Sequence, residues 1–288
     1  MKKDLMDVQH FFDKDTSTLT YIVYDAKTRD AIIIDPVLDL DMSSGIVANK
    51  SLKSVVDFIK LHNLHPHFCL ETHAHADHLS SAQLLKEYYP NIKIAISERI
   101  QKVQKTFKDI FHFDESFKTN GSQFDKLILD NEEFFAGSIK IKAIPTPGHT
   151  PACTSFHINN MLFTGDALFV EDGGTGRCDF PDGSAGDLYQ SVHEELYSLP
   201  DNTIVFTGHD YQPGGRELRF ETTIGVSKRH NSHLKSETKK DDYVKFRQDR
   251  DKTLSAPKLL YPSIQVNINA GVIPKELRVP LSQKLEKY

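Results

Sequence analysis

Four side chains that commonly bind metals, His73, His75, Asp77 and His78, occur close together in the sequence THAHADH. They follow a short apolar run, residues 67–70, which we expect to be a buried strand. Alternate residues of an extended segment share a face, so His73, His75 and Asp77 can converge on one point. Imidazole and carboxylate groups together suit zinc, iron or manganese. The spacing therefore predicts a metal site rather than a solvated polar loop.

Three further candidate ligands each follow a predicted strand and a small turn residue. His149 stands in PTPGHT, Asp166 in FTGD and His209 in TGHDY. Each of these short motifs by itself is typical of an ordinary turn. Their occurrence in this order after the histidine-rich segment indicates that all of them contribute to one site.

Runs typical of strands and helices position these motifs. The main predictions are a hairpin of residues 19–25 and 31–35, a helix over 52–64, strands over 125–129, 139–144, 153–158, 161–164 and 204–206, and a helix over 185–198. Residues 215–233 and 240–254 are charged and are predicted to be helical, whereas residues 263–274 are expected to be β-like and irregular. This mixture favours an α/β fold with mixed sheets and external helices.

The composition limits the class of protein. The chain has 288 residues, of which 39% are hydrophobic and 26% are charged, with a formal net charge of −5. This balance predicts a protein that binds neither nucleic acid nor membranes, because it has no basic surplus and no apolar run of membrane-spanning length. Three widely spaced cysteines and an N-terminus unlike a secretory signal favour a cytoplasmic location.

The complete motif set resembles the metallo-β-lactamase superfamily, in which HxHxDH, a later His, an Asp and a last His bind one or two metals. The resemblance implies an αββα sandwich of two mixed β-sheets flanked by helices. It also implies a single domain over residues 1–288, with a helical and irregular C-terminal portion from about residue 215. Carried over by motif, the ligands of a first metal are His73, His75 and His149, those of a second are Asp77, His78 and His209, and Asp166 lies between them.

Two later segments resemble the persulfide dioxygenase branch of that superfamily, which includes the ethylmalonic encephalopathy protein and bacterial β-lactamase-like sulfide-detoxification proteins. These segments are TGDALF at residues 164–169 and GRCDF at residues 176–180, followed by GHDY and a proline-containing tail. Asp179 and Phe180 differ from the usual continuation in the glyoxalase II branch. The acidic segment between Asp166 and Arg177 is longer than in the animal proteins and is closer to the bacterial form.

The branch resemblance implies one Fe(II) per chain, held by His73, His149 and Asp166. Two imidazoles and one carboxylate leave open positions for substrate and O2, and iron can pass electrons to oxygen whereas zinc cannot. The remaining predicted site residues would orient these ligands and move protons; they are His75, Asp77, His78 and His209. The implied reaction oxidises a low-molecular-weight thiol persulfide, with glutathione as the favoured carrier, to sulfite in sulfide detoxification.

Two residues are candidates for substrate binding or catalysis. Arg177 can hold a carboxylate or polarise a sulfur oxyanion, or it can form a structural ion pair with Asp172 or Asp179. Tyr211 can hydrogen-bond a thiol carrier or pack at the sheet edge. Downstream basic residues are further candidates for substrate contact, namely Arg216, Arg219, Lys228 and Arg229.

Other reactions remain open because this superfamily shares a site but not a chemistry. A zinc-dependent hydrolase with one or two Zn(II) per chain, acting on thioesters as in glyoxalase II, or on lactones or lactams, is the main alternative. A nucleic-acid-processing role is disfavoured by the net charge of −5. The resemblance is also consistent with a homodimer.

Overall fold

Two six-stranded β-sheets form the centre of the structure, a computed structural model that describes residues 6–280. The elements of the first part are β1 (Met6–Asp13), β2 (Thr18–Asp25), β3 (Asp30–Ile34), β4 (Val37–Asp41), β5 (Ile46–Ala48), α1 (Lys50–Leu61), β6 (His65–Leu70), β7 (Leu79–Ser80), α2 (Ala82–Tyr88), β8 (Lys93–Ser97), α3 (Ile100–Ile110) and β9 (Lys126–Ile128). Those of the second part are β10 (Glu133–Ala136), β11 (Ile139–Pro145), β12 (Thr154–Ile158), β13 (Met161–Phe163), α4 (Ala185–Gln190), β14 (Ile204–Phe206), β15 (Glu221–Thr223), α5 (Ile224–His230), α6 (Lys240–Asp251) and α7 (Leu260–Asn267).

The first sheet has the strand order β1-β2-β3-β6-β8-β9. Strands β2 and β3 form the predicted antiparallel hairpin, with Tyr21 opposite Ile34. Strands β3, β6, β8 and β9 run parallel to one another. The parallel strands are nearly continuous apolar runs because side chains on both faces of this sheet are buried.

The second sheet has the strand order β10-β11-β12-β13-β14-β15. Its neighbours are antiparallel except for β13 and β14, which are parallel and are joined by a long crossover containing α4. Both sheets are therefore mixed, and the predicted fold class is confirmed.

Apolar side chains fill the space between the sheets and cover both outer faces. Phe156 and Phe163 of the second sheet pack with Ile32 of the first in the central core. Helices α1 and α3 cover the outer face of the first sheet, and their buried residues are Leu52, Val55, Val56, Ile59, Ile100, Val103, Gln104 and Phe107. The outer face of the second sheet packs against the predicted apolar stripe of Leu188, Val192 and Leu196. These layers form the αββα arrangement.

Helical geometry changes along the predicted helix of residues 185–198. The α-helical part, α4, ends at Gln190, a wider π-helical turn follows over Ser191–Glu195, and a 3-10 turn covers Leu196–Ser198. The apolar spacing predicts which side chains are buried, but it does not distinguish these turn types.

Two predictions for the C-terminal part are wrong. Residues 215–233 are not one helix, because strand β15 completes the second sheet before α5 begins. Residues predicted to be β-like form helix α7, in which Ile264, Gln265 and Val266 are all buried. A helix buried on every side shows no apolar periodicity in its sequence. The end of the predicted C-terminal portion, residues 281–288, lies outside the described residues, as do residues 1–5.

A third, three-stranded sheet has the order β5-β4-β7 and was not predicted. Strand β4 pairs with β5 through Leu40 and Val47, and with β7 through Leu38 and Leu79. These strands are short, and the β4–β5 hairpin is largely exposed, so the sequence has little periodic signal here. Among residues 6–280, we find no helix with the length and apolar character needed to span a membrane.

A buried ion pair ties α6 to the rest of the protein. Arg247 is only 1% exposed, and its Nε and Nη2 atoms donate hydrogen bonds to Asp251 Oδ1 over 2.9 and 2.6 Å. The other oxygen of Asp251 accepts the backbone N–H of Cys178 over 2.8 Å, and Arg247 Nη1 donates to the Thr175 carbonyl over 3.2 Å. The pair therefore fixes residues 175–178 against α6.

We predict that Arg247→Met destabilises the protein by about 3–5 kcal/mol, because it leaves the Asp251 carboxylate buried without its cation. Urea unfolding followed by circular dichroism measures this change. Lys245→Met on the exposed side of the same helix is the matched control and should change the free energy of unfolding by less than about 0.5 kcal/mol. Equal stability of the two variants would contradict the structural role of the pair.

Candidate metal centre

All seven predicted ligands lie together at one edge of the two sheets. The HAHADH segment follows β6, and each of the other three ligands follows β11, β13 or β14. Six of the seven side chains are buried, and Asp77 is partly buried. The seven residues are His73, His75, Asp77, His78, His149, Asp166 and His209.

One group combines His73, His149 and Asp166. One potential ligand atom from each lies within 4.8 Å of the others. His149 Nε2 is 3.5 Å from Asp166 Oδ2, and the rings of His73 and His149 are nearly perpendicular, with centroids 4.9 Å apart. Two imidazoles and one carboxylate therefore converge as the branch resemblance implies.

A second group adjoins the first and combines His75, Asp77 and His78, again within 4.8 Å of one another. His209 Nε2 lies 3.1 Å from Asp77 Oδ2 and 3.3 Å from Asp166 Oδ1. Since the two oxygens of Asp166 face different histidines, this carboxylate lies between the two groups, as expected from the motifs.

Backbone carbonyl groups orient three of the imidazoles. The contacts are His149 Nδ1 with the Arg177 oxygen at 2.6 Å, His209 Nδ1 with the Ser17 oxygen at 3.1 Å, and His78 Nδ1 with the Leu79 oxygen at 3.1 Å. A carbonyl can only accept, so each Nδ1 carries the proton and each Nε2 keeps its lone pair for a metal.

A hydroxyl and a carboxylate orient His73 in the same way. His73 Nδ1 is 3.0 Å from Thr72 Oγ1, which donates its own proton to Asp35 Oδ2 over 2.8 Å. Asp35 Oδ1 also accepts the Thr72 backbone N–H over 2.7 Å. Asp35 was not among the predicted site residues, because it is the last residue of the predicted strand 31–35 and no small turn residue precedes it.

His75 differs from the other histidines because its Nε2 faces carboxylates. Asp35 Oδ1 is 3.0 Å away and Glu71 Oε2 is 3.5 Å away. Burial disfavours the charged form of His75, but the nearby Asp35 and Glu71 carboxylates outweigh it and raise its pKa well above the usual value. Glu71 is the second residue that the sequence analysis missed, and it precedes the motif by only two positions.

Several buried polar atoms in these groups have no hydrogen-bond partner within residues 6–280. Those that face away from Asp35 and Glu71 are His73 Nε2, His75 Nδ1, His78 Nε2, His209 Nε2, Asp77 Oδ2 and Asp166 Oδ1, and His75 Nε2 is also without a hydrogen bond. Each such atom costs about 1–3 kcal/mol when it is left unsatisfied in the interior. Because the atoms that face away from Asp35 and Glu71 are lone-pair donors facing one region, the donor set fits a divalent metal ion.

The pKa shifts agree with this fit. Burial lowers the pKa of His73 well below its usual value, and burial with the nearby His75 lowers the pKa of His78 to about 3. Both imidazoles are therefore neutral at physiological pH, which is the form that binds metals. Burial opposes the charged form of His209, but Asp166 and Asp77 raise its pKa above the usual value.

Two glycines allow the ligand loops to approach their neighbours. Gly165 has φ +49°, and a Cβ atom there would lie 2.5 Å from Thr72 Oγ1. Gly148 has φ +143°, and its Cβ would lie 2.3 Å from the Cβ of Leu188 in α4. Any larger residue would displace the loop that carries the adjacent ligand, so the glycines of TGD and PGH serve the site directly.

The two candidate substrate residues line a cavity of about 1000 Å³ that reaches His149 and Asp166. Arg177 donates to both oxygens of Asp179 over 2.6 Å and to the Ser255 carbonyl over 2.7 Å, so it forms one of the two structural ion pairs considered. Tyr211 is 59% exposed, and its ring stacks on His209 with centroids 5.4 Å apart.

The downstream basic candidates are paired elsewhere and do not line this cavity. Arg216 pairs with Asp172 and Asp210, Arg219 with Glu171, and Lys228 and Arg229 with Asp201. The cations that line its outer part are instead Lys50, Arg250 and Lys258, which sequence reasoning did not identify. Cys178 is buried, and burial raises the pKa of its thiol, as expected for an unreactive core residue.

Comparisons with known proteins agree with the site. Residues 14–209 match the family model described as the metallo-beta-lactamase superfamily. The chain is 44% identical to Glyoxylase B2 of Dictyostelium discoideum, over 96% of this chain and 97% of that protein. It is 32% identical to Persulfide dioxygenase ETHE1, mitochondrial, of Homo sapiens, over 71% of this chain and 68% of that protein.

A solved structure extends this similarity over most of the fold. The crystal structure of ETHE1 from Myxococcus xanthus superimposes with a TM-score of 0.74 and 28% identity, covering 92% of this chain and all of that one. These relationships support the persulfide dioxygenase branch. With its family match, its relatives and its sandwich of two mixed sheets, the chain belongs to the metallo-beta-lactamase superfamily.

Proposed function

We propose that this protein is an Fe(II)-dependent dioxygenase that oxidises a low-molecular-weight thiol persulfide to sulfite in sulfide detoxification. Glutathione persulfide is the proposed substrate. The observation that carries the proposal is the group of His73, His149 and Asp166, whose ligand atoms lie within 4.8 Å of one another. Relatives named persulfide dioxygenase, at 32% identity, support it.

The overall reaction is balanced without a further reductant. A persulfide RSSH, one O2 and one water give the thiol RSH, sulfite and two protons, and the terminal sulfur supplies the four electrons that O2 takes up. The ferrous ion, when bound, would supply the one-electron chemistry that lets O2 react with a sulfur substrate. The protein must therefore bind the persulfide beside the ion and accept the protons released.

The chain's own residues provide fixed ligands and a place for a proton. The Arg177 carbonyl and the Thr72 hydroxyl hold the His149 and His73 rings with Nε2 toward the site. His209 Nε2, 3.1 Å from Asp77 Oδ2, can hold a proton at the edge of the ligand group.

A metal-dependent thioester hydrolase is the second candidate. Two observations favour it, namely the second ligand group of His75, Asp77 and His78 and the relative named Glyoxylase B2. In this reaction one or two Zn(II) ions would polarise the carbonyl and activate water. The homodimer, the cytoplasmic location and the lack of nucleic-acid binding stay predictions.

We predict that protein prepared with iron contains about one iron per chain and consumes O2 rapidly with glutathione persulfide. An oxygen electrode measures uptake, and metal analysis of the same sample gives the iron content. Sulfite should appear in a one-to-one ratio with O2. Iron-loaded protein that hydrolyses S-lactoylglutathione but consumes no O2 would overturn the proposal in favour of the hydrolase.

We predict that His149→Ala removes both iron binding and O2 uptake, because it deletes one of three ligands. His209→Ala should retain most of the iron if the site is mononuclear, since His209 contacts Asp77 and Asp166 but not His149 or His73. Metal content after dialysis measures both. His157→Ala, on strand β12 and outside the ligand groups, is the control. Full iron content and activity in His149→Ala would exclude the proposed ligand set.

We propose that Arg177 has two roles: it forms the ion pair with Asp179, and it binds the anionic part of the substrate. We predict that the KM of Arg177→Gln is about ten times the KM of Asp179→Asn. This factor corresponds to about 1.4 kcal/mol of lost substrate binding. Steady-state O2 uptake gives KM, and thermal unfolding compares the stabilities of the two variants. If both variants lose the same stability and the same kcat/KM, Arg177 has only the structural role.

A further inference from the structure

The cavity continues well beyond the metal-binding groups, and its outer half has an unusual lining. Two segments form much of it, the β4–β5 hairpin and the loop after α6 at residues 254–259. A cavity of about 1000 Å³ is far larger than a persulfide sulfur and O2 require. The remaining volume must therefore accept the organic part of the thiol.

The hairpin presents apolar side chains to this volume. Leu40, Met42, Ile46 and Ala48 line the cavity, and Met42 and Ile46 are 51% and 62% exposed. From the other segment, Leu254 and Pro257 also line it. Exposed apolar side chains that share one cavity wall are typical of a ligand-binding surface rather than of random surface residues.

The two segments meet at a buried apolar cluster. Leu38 of β4 packs with Leu259 in one buried cluster that also includes Leu79 and Val266. Because this cluster anchors both walls, the apolar tips have a fixed position beside the opening. The space between them leads inward to His149 and Asp166.

Cations lie on the α6 side of the same cavity. Arg250 and Lys258 are exposed and line it, whereas the two acidic residues near the end of α6 are paired with other cations, Asp249 with Lys252 and Asp251 with Arg247. Apart from Asp77 and Asp166 of the metal centre, the acidic lining residues come from other segments than α6, and three of them already accept hydrogen bonds from nearby hydroxyl groups. These are Asp13 from Thr16, Asp39 from Ser51 and Asp41 from Ser43.

We propose that the outer cavity is a binding subsite for thiols whose organic arm has an apolar segment and ends in an anion. The β4–β5 hairpin binds the apolar segment, and Arg250 and Lys258 bind the anionic end. The inference rests on the proposed function only in placing sulfur at the metal centre. The proposed subsite adds thiols with an apolar arm to the candidate substrates, whereas the arm of glutathione is a polar peptide.

Anaerobic calorimetry with the iron-loaded protein tests the apolar part, because no turnover occurs without O2. The probes are mercaptopropionate and mercaptohexanoate, which differ by three methylene groups. Each buried methylene contributes about 0.8 kcal/mol, so mercaptohexanoate should bind at least about tenfold more tightly. Met42→Ser combined with Ile46→Ser should remove this difference and leave the affinity for mercaptopropionate unchanged.

Leu61→Ser is the matched control, since Leu61 is 76% exposed on α1 and does not line the cavity. This control should keep the full preference for the longer chain. Equal affinities of the two probes in the unaltered protein, or the same preference in the hairpin variant, would overturn the proposed subsite.

The anionic part is tested by comparing mercaptohexanoate with mercaptohexanol. The carboxylate should bind about tenfold more tightly, and Arg250→Gln should reduce this ratio, whereas Lys245→Gln, outside the cavity on the same helix, should not. Equal affinities of the unaltered protein for mercaptohexanoate and mercaptohexanol would contradict the binding of an anion by Arg250 and Lys258. If the protein prefers the longer chain but consumes no O2 with a persulfide, the subsite is retained and the dioxygenase proposal is overturned. If it consumes O2 but shows no chain-length preference, the dioxygenase proposal is retained and the subsite is overturned.

Discussion

The rest of the structure depends on one constraint, which is the burial of six candidate metal ligands, and the partial burial of a seventh, at a single edge between two sheets. Buried imidazole and carboxylate groups are stable only with hydrogen-bond partners, opposite charges or a metal. For every imidazole except that of His75, the protein supplies a hydrogen-bond partner at Nδ1 and leaves Nε2 facing the site. The Arg177, Ser17 and Leu79 carbonyls perform this role for three rings. The ligands are therefore oriented by backbone atoms whose positions the two sheets and their connections determine.

Asp35 links the sheet to the ligands more directly than any other side chain. It follows β3 in the middle of the first sheet, it accepts two hydrogen bonds from Thr72, and it lies 3.0 Å from His75. A second path begins in the C-terminal helices. Asp251 and Arg247 hold the backbone at Cys178 and Thr175, on either side of Arg177 whose carbonyl orients His149. Stability of α6 and geometry of the ligand group are therefore coupled.

The sequence was sufficient for the ligand motifs and the central strands because both have strong local patterns. An apolar run followed by a small residue and a polar ligand predicts a strand end whichever sheet it joins. The carboxylates that contact the ligand side chains are harder to predict from the sequence. Asp35 and Glu71 act on His75 through tertiary contacts, and neither belongs to the motif that identified the histidines. Helix α7 was mistaken for irregular structure because it is buried on all sides, so its polar residues follow no helical period.

The elements that hold the candidate metal ligands differ from those that line the proposed substrate subsite. The ligands follow strands of the two main sheets, where a shift of one residue would disturb several hydrogen bonds at once. The outer cavity is instead built largely from the β4–β5 hairpin and residues 254–259. Only the base of the hairpin approaches the ligand segment, where Leu38 pairs with Leu79 directly after His78. The buried contacts of these two segments involve Leu38 and Leu259 and leave the tips exposed. Under the proposed function, substitutions at these tips would change which thiol is bound without altering the ligand geometry, which is one way that a single fold can serve different substrates.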